Sequence, residues 1–469
     1  MSTVKQIVLS DGNILKKNEL ITISIDDMSE TGEGIGKVYG YTFFVKHAVT
    51  GDVVFAQVTK LLKNYGYART ADIITPSKYR VKPACPIAKP CGGCQLQELS
   101  YEGQLEFKYQ KVKNHLERLG GFKDLEVLPV KGMKAPYEPY HYRNKSQYPV
   151  QVNKNGEIVM GFYAGRTHNV IQTEKCLLNM GEDAKILAIV KEWMMKHHVP
   201  AYDEARGKGI VRHVMIRYGK YTNQIMVCLV VTKEVKLTES LVSKLLEIDG
   251  MTSICLNINS KKTNVILGDE MIDLYGDGMI VDKIGEISYQ ISAKSFYQVN
   301  PIQTKVLYDT ALDYAGLTGD EIVWDVYCGI GTISLFLAQK AKKVYGVEIV
   351  PAAIENAKVN AKLNHIENAQ FFCGKAEEVL PKEYKEHQIY ADVIVVDPPR
   401  KGCEEVVLET MVKMESKRIV YVSCNSATLA RDAKYLVEHG YQIEKVQPVD
   451  MFPQTVHVET VCLLSRKDK

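Results

Sequence analysis

The chain has no long apolar run. The longest clean stretch near its middle, Ile225 to Val231, is seven residues, whereas a membrane-spanning helix needs about 20. No transmembrane helix, and so no membrane partner, is expected. Met1 to Asn13 lack a basic stretch followed by an apolar block, so no export signal is read there and the expected location is the cytoplasm. Nothing repeats, and no segment is of low complexity. Extremes of composition are missing too. With 46 % hydrophobic and 25 % charged residues over 469 positions, a disordered or collagen-like chain is excluded, and the length predicts roughly three domains. Net charge is only +3, but Val54 to Tyr148 carry sixteen Lys and Arg against eight Asp and Glu, a local +8 that leaves −5 for the remainder. A basic block beside a more acidic one suggests a region that binds a polyanion; a solvated surface with chance asymmetry is the bland alternative. Without an export signal, the eleven cysteines speak for thiol chemistry or metal ligation rather than disulfides.

From about Leu20 to Thr75 the chain reads as short strands separated by turns. Ile21–Ile25 alternates, Gly32-Glu-Gly34-Ile-Gly36 reads as a glycine turn, and Tyr41–Val45, Asp52–Val58 and Ala68–Ile74 follow at similar spacing. This predicts a small β-barrel of about 55 residues. Pro76–Pro90 reads as a basic, proline-punctuated linker. Tyr101–Leu119 has helical periodicity and ends at Gly120-Gly121. Residues 125 to about 292 mix strands (Val211–Arg217, Gln224–Val231, Ser253–Ile258) with one clear helix, Lys185–His197, predicting an α+β domain with antiparallel pairing. From about Ser295, apolar strands at Ile322–Val326, Lys343–Val347, Val393–Val396 and Ile419–Val422 alternate with helical patterns. That alternation predicts an α/β fold, a parallel sheet with helices on both faces.

The strand Ile322–Val326 runs into Tyr327-Cys-Gly-Ile-Gly-Thr332 and a helix. Its glycines allow a tight turn and close approach of a ligand to the backbone. Glu348 ends the next strand, 17 residues past Gly331, where a doubly wound sheet puts a carboxylate beside the first loop to accept from ribose hydroxyls. The third glycine of a dinucleotide loop is missing, since position 334 is Ser. This favours S-adenosylmethionine over NAD as cofactor. Two further strands end in Asp397-Pro-Pro-Arg400 and Ser423-Cys-Asn425. Ligands of open parallel sheets bind outside the carboxyl ends of the strands, so Asp397 and Cys424 are expected to face the cofactor. Most other unassigned cysteines sit in apolar stretches and read as small core hydrophobes. Cys424 instead precedes a helix start, which lowers a thiol's pKa, and is the candidate nucleophile. Glu459 is read on an edge strand, where a lone Glu is usually solvent-facing.

Asp397-Pro-Pro-Arg-Lys-Gly402, Ser423-Cys-Asn-Ser-Ala-Thr-Leu-Ala-Arg-Asp432, His457-Val-Glu-Thr-Val461 and Ser295-Phe-Tyr-Gln-Val-Asn-Pro301 together resemble the RNA uracil-5-methyltransferases over nearly the whole chain. The resemblance implies an N-terminal, OB-like TRAM barrel at residues 14–75, a central α+β domain at 76–294 and a Rossmann-like, S-adenosylmethionine-dependent methyltransferase domain at 295–469. It implies cofactor binding by Gln298, Tyr327, Glu348 and Asp397, with Asp397 also a candidate for the uracil edge. Cys424 would add to carbon 6 of uracil, and Glu459 would be the general base that removes the carbon-5 proton. The target base must leave its stack to reach the pocket.

Cys85, Cys91 and Cys94 follow the spacing C-x5-C-x2-C on a Gly/Pro loop, with Cys176 farther on. Four thiolates can wrap a [4Fe–4S] cluster or hold zinc. The x5 gap lies outside the usual zinc knuckle, and the ribosomal-RNA branch of the resembled family carries a cluster with a C-G-G-C element. The expected substrate is therefore 23S ribosomal RNA, at a loop or single-stranded uridine, with no obligate protein partner. Rival readings are a transfer-RNA uracil methyltransferase, a radical methylthiotransferase, whose C-x3-C-x2-C motif these cysteines do not fit, and a non-catalytic RNA-binding assembly factor.

Overall fold

The computed structural model describes residues 4–9, 12–165 and 167–467. They form two compact units: residues up to Lys111 together with Phe452–His457, and Val112–Met451 together with Val458 onward.

The first unit is built on a six-stranded sheet in the spatial order Leu20–Ser24, Val53–Leu61, Tyr65–Thr75, Tyr41–Lys46, Gly34–Val38, Asp27–Met28. All neighbours are antiparallel except Tyr41–Lys46 with Tyr65–Thr75. Alternation along these strands buries Ile21, Ile23, Phe43, Val45, Val54, Ala56 and Val58 in one apolar core, as a period of two requires. The expected glycine turn is partly a strand. Gly34 and Gly36 lie within Gly34–Val38, and a Cβ on Gly36 would stand 2.1 Å from the Ser24 carbonyl oxygen. Close backbone approach, not turn geometry, demands glycine there. Buried Asp52 accepts from Arg80 Nε at 3.0 Å and from the Ser77 and Val49 amides at 2.9 and 2.8 Å, tying the sheet to the segment that follows it.

The second unit holds two seven-stranded sheets. One runs Val170–Gln172, Ile158–Tyr163, Lys145–Val152, Val211–Tyr218, Ile225–Val231, Met251–Ile258, Glu270–Tyr275. It departs from the antiparallel expectation once: Ile225–Val231 and Met251–Ile258 are parallel, with helix Glu239–Leu245 in the crossover between them. Helices Asp183–Lys196 and Glu239–Leu245 bury Ile186, Val190, Trp193, Leu241 and Leu245 in this sheet's core.

The other sheet runs Ala369–Cys373, Lys343–Glu348, Ile322–Val326, Val393–Val396, Arg418–Ser423, Glu459–Arg466, Tyr441–Val449. Its first five strands are parallel, and Glu459–Arg466 alone runs antiparallel, to both of its neighbours. Strand order reverses between Ile322–Val326 and Val393–Val396, the switch point at which such sheets open a ligand crevice. Glu459 is not on an edge strand. Glu459–Arg466 lies between Arg418–Ser423 and Tyr441–Val449, and Glu459 is only 3 % exposed.

Candidate active site at the strand ends

The loop after Ile322–Val326 turns through three left-handed residues, Tyr327, Gly329 and Gly331, with φ of +75°, +55° and +82°. Tyr327 is the costly one, since a side chain rarely tolerates that region. The Tyr327 and Cys328 amides both donate to the Val347 carbonyl, at 3.0 and 2.9 Å, and fasten the turn to the neighbouring strand. Glu348, at that strand's end, accepts from the Gly329 amide at 3.2 Å and the Val350 amide at 2.9 Å. One lone pair on each carboxylate oxygen is left for a ligand. Ile349 and Val350 beside it are exposed, and a Cβ on Gly329 would meet nothing within 4 Å. An open glycine turn, a fixed carboxylate and an exposed apolar pair suit a cofactor with a ribose and a flat base. Ser334, in place of a third glycine, donates through its hydroxyl to buried Asp325 at 2.5 Å. Burial, followed by the charge of Glu348, pushes the Asp325 carboxyl up to about 7.

The other strand ends converge. Burial and the charge of Asp325 push Asp397 up to about 7. Glu459 is held well above the usual carboxylate range by burial and by Asp397, with Arg400 opposing. Burial, then the carboxylates of Glu459 and Asp397, push the Cys424 thiol up to about 11, again against Arg400. The expectation that the following helix lowers this thiol is thus corrected: burial and two acids outweigh the dipole of helix Ser426–Glu438. Cys424, Glu459, Asp397 and Arg400 share one electrostatic neighbourhood. Arg400 had no assigned role in the sequence, although it stands in the Asp-Pro-Pro-Arg motif.

Asn425 and Asp432 were also missed. The Asn425 Oδ1 caps the helix by accepting from Ala427 N at 3.1 Å, and its Nδ2 donates to the Arg400 carbonyl at 3.0 Å. Buried Asp432 accepts from the Cys403 amide, the Tyr421 hydroxyl and Arg431 Nε at 2.8, 2.6 and 2.7 Å. Both residues fix the loop after Asp397, and both stood in the quoted Ser-Cys-Asn motif. Gln298 is buried, with its carbonyl accepting from Asn144 Nδ2 at 3.0 Å. Tyr327 is half-buried beside Cys403 and Glu377.

The cysteines expected to bind a cluster divide between the units. Cys85, Cys91 and Cys94 are half-buried in the first, Cys176 half-buried in the second. Burial raises the Cys91 thiol, and Cys85 is close enough to add to the effect; the Gly93 amide donates to Cys91 Sγ at 3.4 Å. Among the described residues no group of three His, Cys, Asp or Glu side chains is gathered closely enough to hold a metal ion.

Comparisons with known proteins agree with this architecture. The tRNA (uracil-5-)-methyltransferase family matches residues 100–467, and the TRAM domain matches residues 15–71. An uncharacterized RNA methyltransferase of Bacillus cereus is 51 % identical over 97 % of this chain and 98 % of its own. One from Clostridium tetani is 53 % identical over 96 % of this chain and 97 % of its own. A crystal structure of the Pyrococcus abyssi tRNA (uracil-54, C5)-methyltransferase in complex with S-adenosyl-L-homocysteine superposes with a TM-score of 0.75 at 27 % identity, covering 94 % of this chain and 99 % of that one. No helix among the described residues is long and apolar enough to cross a membrane. The chain belongs to the RNA uracil-5-methyltransferases, enzymes dependent on S-adenosylmethionine, and carries a TRAM domain.

Proposed function

We propose that this enzyme methylates carbon 5 of a specific uridine in 23S ribosomal RNA, in the cytoplasm, through a covalent Cys424–uracil adduct. The observation that carries this reading is the juxtaposition of Cys424 with Glu459 and Asp397 at adjoining strand ends. Gln298, Tyr327, Glu348 and Asp397 hold the cofactor, which when bound supplies an electrophilic methyl group. Carbon 5 of uracil is too weak a nucleophile to accept it unaided. Cys424 gives its proton up to solvent and adds as the thiolate to carbon 6, which makes carbon 5 enolate-like. Once carbon 5 carries both methyl and hydrogen, Glu459 in its ionised form takes the proton, the double bond re-forms and the Cys424 sulfur leaves. Asp397, protonated more readily than an ordinary carboxyl, can donate to a carbonyl oxygen of the base.

Residues 14–75 serve as the RNA-binding TRAM module, 76–294 as the central domain and 295–469 as the catalytic domain. Cys85, Cys91, Cys94 and Cys176 hold a [4Fe–4S] cluster. The C-x5-C-x2-C spacing and the donor set of four thiols support this reading. These cysteines and the TRAM domain favour ribosomal over transfer RNA. The transfer-RNA reading is favoured by the substrate of the Pyrococcus abyssi enzyme. Incubating the purified enzyme with methyl-labelled cofactor and either 23S or transfer RNA decides between them. Label entering only transfer RNA refutes the ribosomal assignment.

A further inference from the structure

In the central sheet, Lys145 stands opposite Arg217 on antiparallel neighbours. Arg143, two residues before Lys145 at the entry to the strand, is close enough for its charge to act on Lys145. Arg217 is 2 % exposed and has no carboxylate partner among the described residues. One guanidinium nitrogen donates to the carbonyls of Ala293, at 3.2 Å, and Ser295, while its buried Nε finds no acceptor. The groups nearest to it electrostatically are the Cys228 thiol and the Tyr297 phenol. Lys145 and Arg143 are both half-buried, and neither forms an ion pair among the described residues. Burial, then the charges of Arg217 and Arg143, push the Lys145 ammonium down to about 7.

Three cations in so small a space are costly unless an anion completes them. Their position is equally telling. The Asn144 side chain and amide donate to the Gln298 and Val299 carbonyls at 3.0 and 2.9 Å, and Arg217 holds the Ser295 carbonyl. The cations therefore line the loop that carries Gln298. We propose that Arg143, Lys145 and Arg217 form an oxyanion site that takes a backbone phosphodiester of the RNA strand bearing the target uridine. This rests on the RNA methyltransferase reading. A phosphodiester presents two charged oxygens to a guanidinium fork and an ammonium. The carboxylate of the cofactor's amino-acid portion has the same chemistry, and the experiment separates the two sources.

Full-length Lys145→Met, Arg143→Met and the conservative Lys145→Arg are titrated with a fluorescent, uridine-containing single-stranded RNA over a range of salt, and with S-adenosylhomocysteine by calorimetry. Arg217 is left intact because its burial makes misfolding the first consequence of its loss. Lys145→Met and Arg143→Met are each expected to weaken RNA binding about tenfold and to flatten the plot of log K against log salt by about 0.7. Lys145→Arg keeps the parental slope, and cofactor affinity stays unchanged in all three. Parental slopes in both Met variants overturn the proposal, as does a loss of cofactor affinity with the RNA slope intact. A parent enzyme that binds and methylates no RNA refutes the underlying reading, and this site with it.

Discussion

Cys424 follows directly on the strand Arg418–Ser423, and Glu459 begins its antiparallel neighbour, Glu459–Arg466. Ser423 pairs with Thr460, and each of the two residues lies one step beyond that pair. On its other side Glu459 is paired with Val449, which fixes its backbone in the sheet. The Glu459 carboxylate makes the Cys424 proton harder to lose, because two negative charges would share a buried space. In the proposed adduct chemistry, one proton would leave the thiol before addition and another would reach the carboxylate before elimination.

The two residues are separable by substitution. Cys424→Ala should abolish methyl transfer and prevent any covalent RNA species. Glu459→Gln keeps the size but removes the proton acceptor, and should slow turnover by about 10²–10⁴-fold. Methyl transfer still occurs, so a methylated protein–RNA adduct should accumulate and survive denaturing electrophoresis. Wild-type turnover in Glu459→Gln would show that another group is the base. An adduct in Cys424→Ala would point to a different nucleophile, with Cys328 beside the cofactor turn the next thiol to test.

The thiol's titration reads the same neighbourhood. Cys424 is pushed up to about 11 by burial and by the two carboxylates, with Arg400 opposing. In the RNA-free enzyme, the pH midpoint for alkylation of the Cys424 peptide should rise further in Arg400→Gln and fall in Glu459→Gln. Mass spectrometry of the alkylated peptide follows both, and shifts of the opposite sign would contradict the electrostatic account.

Asp325 links the cofactor turn to stability. Its carboxyl goes from 3.8 to about 7 on folding, so the folded state binds that proton more tightly than the unfolded chain. The stabilisation is complete below about pH 4 and is lost as the pH rises through about 7. Asp325→Asn has no such proton to lose. Relative to the parent, its unfolding free energy in urea should therefore rise between those pH values. A gap independent of pH would show that Asp325 is not held protonated.

Protein purified without oxygen should be brown and contain about four irons per chain. Serine at Cys85, Cys91, Cys94 or Cys176 should lower the iron content. Stoichiometric zinc without iron would replace the cluster with a thiolate zinc site.

Much of the catalytic sheet was legible because its parallel strands are buried on both faces and read as continuous apolar runs. Ile322–Val326 and Val393–Val396 carry that signature, and chemistry-bearing residues follow the strand ends. Glu459 was misplaced because strand order at the antiparallel end depends on long-range pairing. The run Thr-Val-Cys-Leu-Leu after it, apolar on both faces, was the signal of an interior strand. The perturbed Cys424 thiol was unreadable for a similar reason: its carboxylate neighbours arrive from residues 397 and 459. Gly34 and Gly36 were read as a turn because the close approach of Ala48 to the one and of Ser24 to the other leaves no mark in the sequence. The roles of Asn425 and Asp432 likewise appear only once the Arg400 loop is seen to fold back onto them.

The central claim is tested most directly by mapping 5-methyluridine in ribosomal and transfer RNA from cells expressing the wild-type chain or Cys424→Ala as their only copy. Mass spectrometry of nuclease fragments should show 5-methyluridine missing from 23S RNA in the variant, with transfer RNA unchanged. Loss confined to transfer RNA, or an unaltered 23S pattern, would contradict the account.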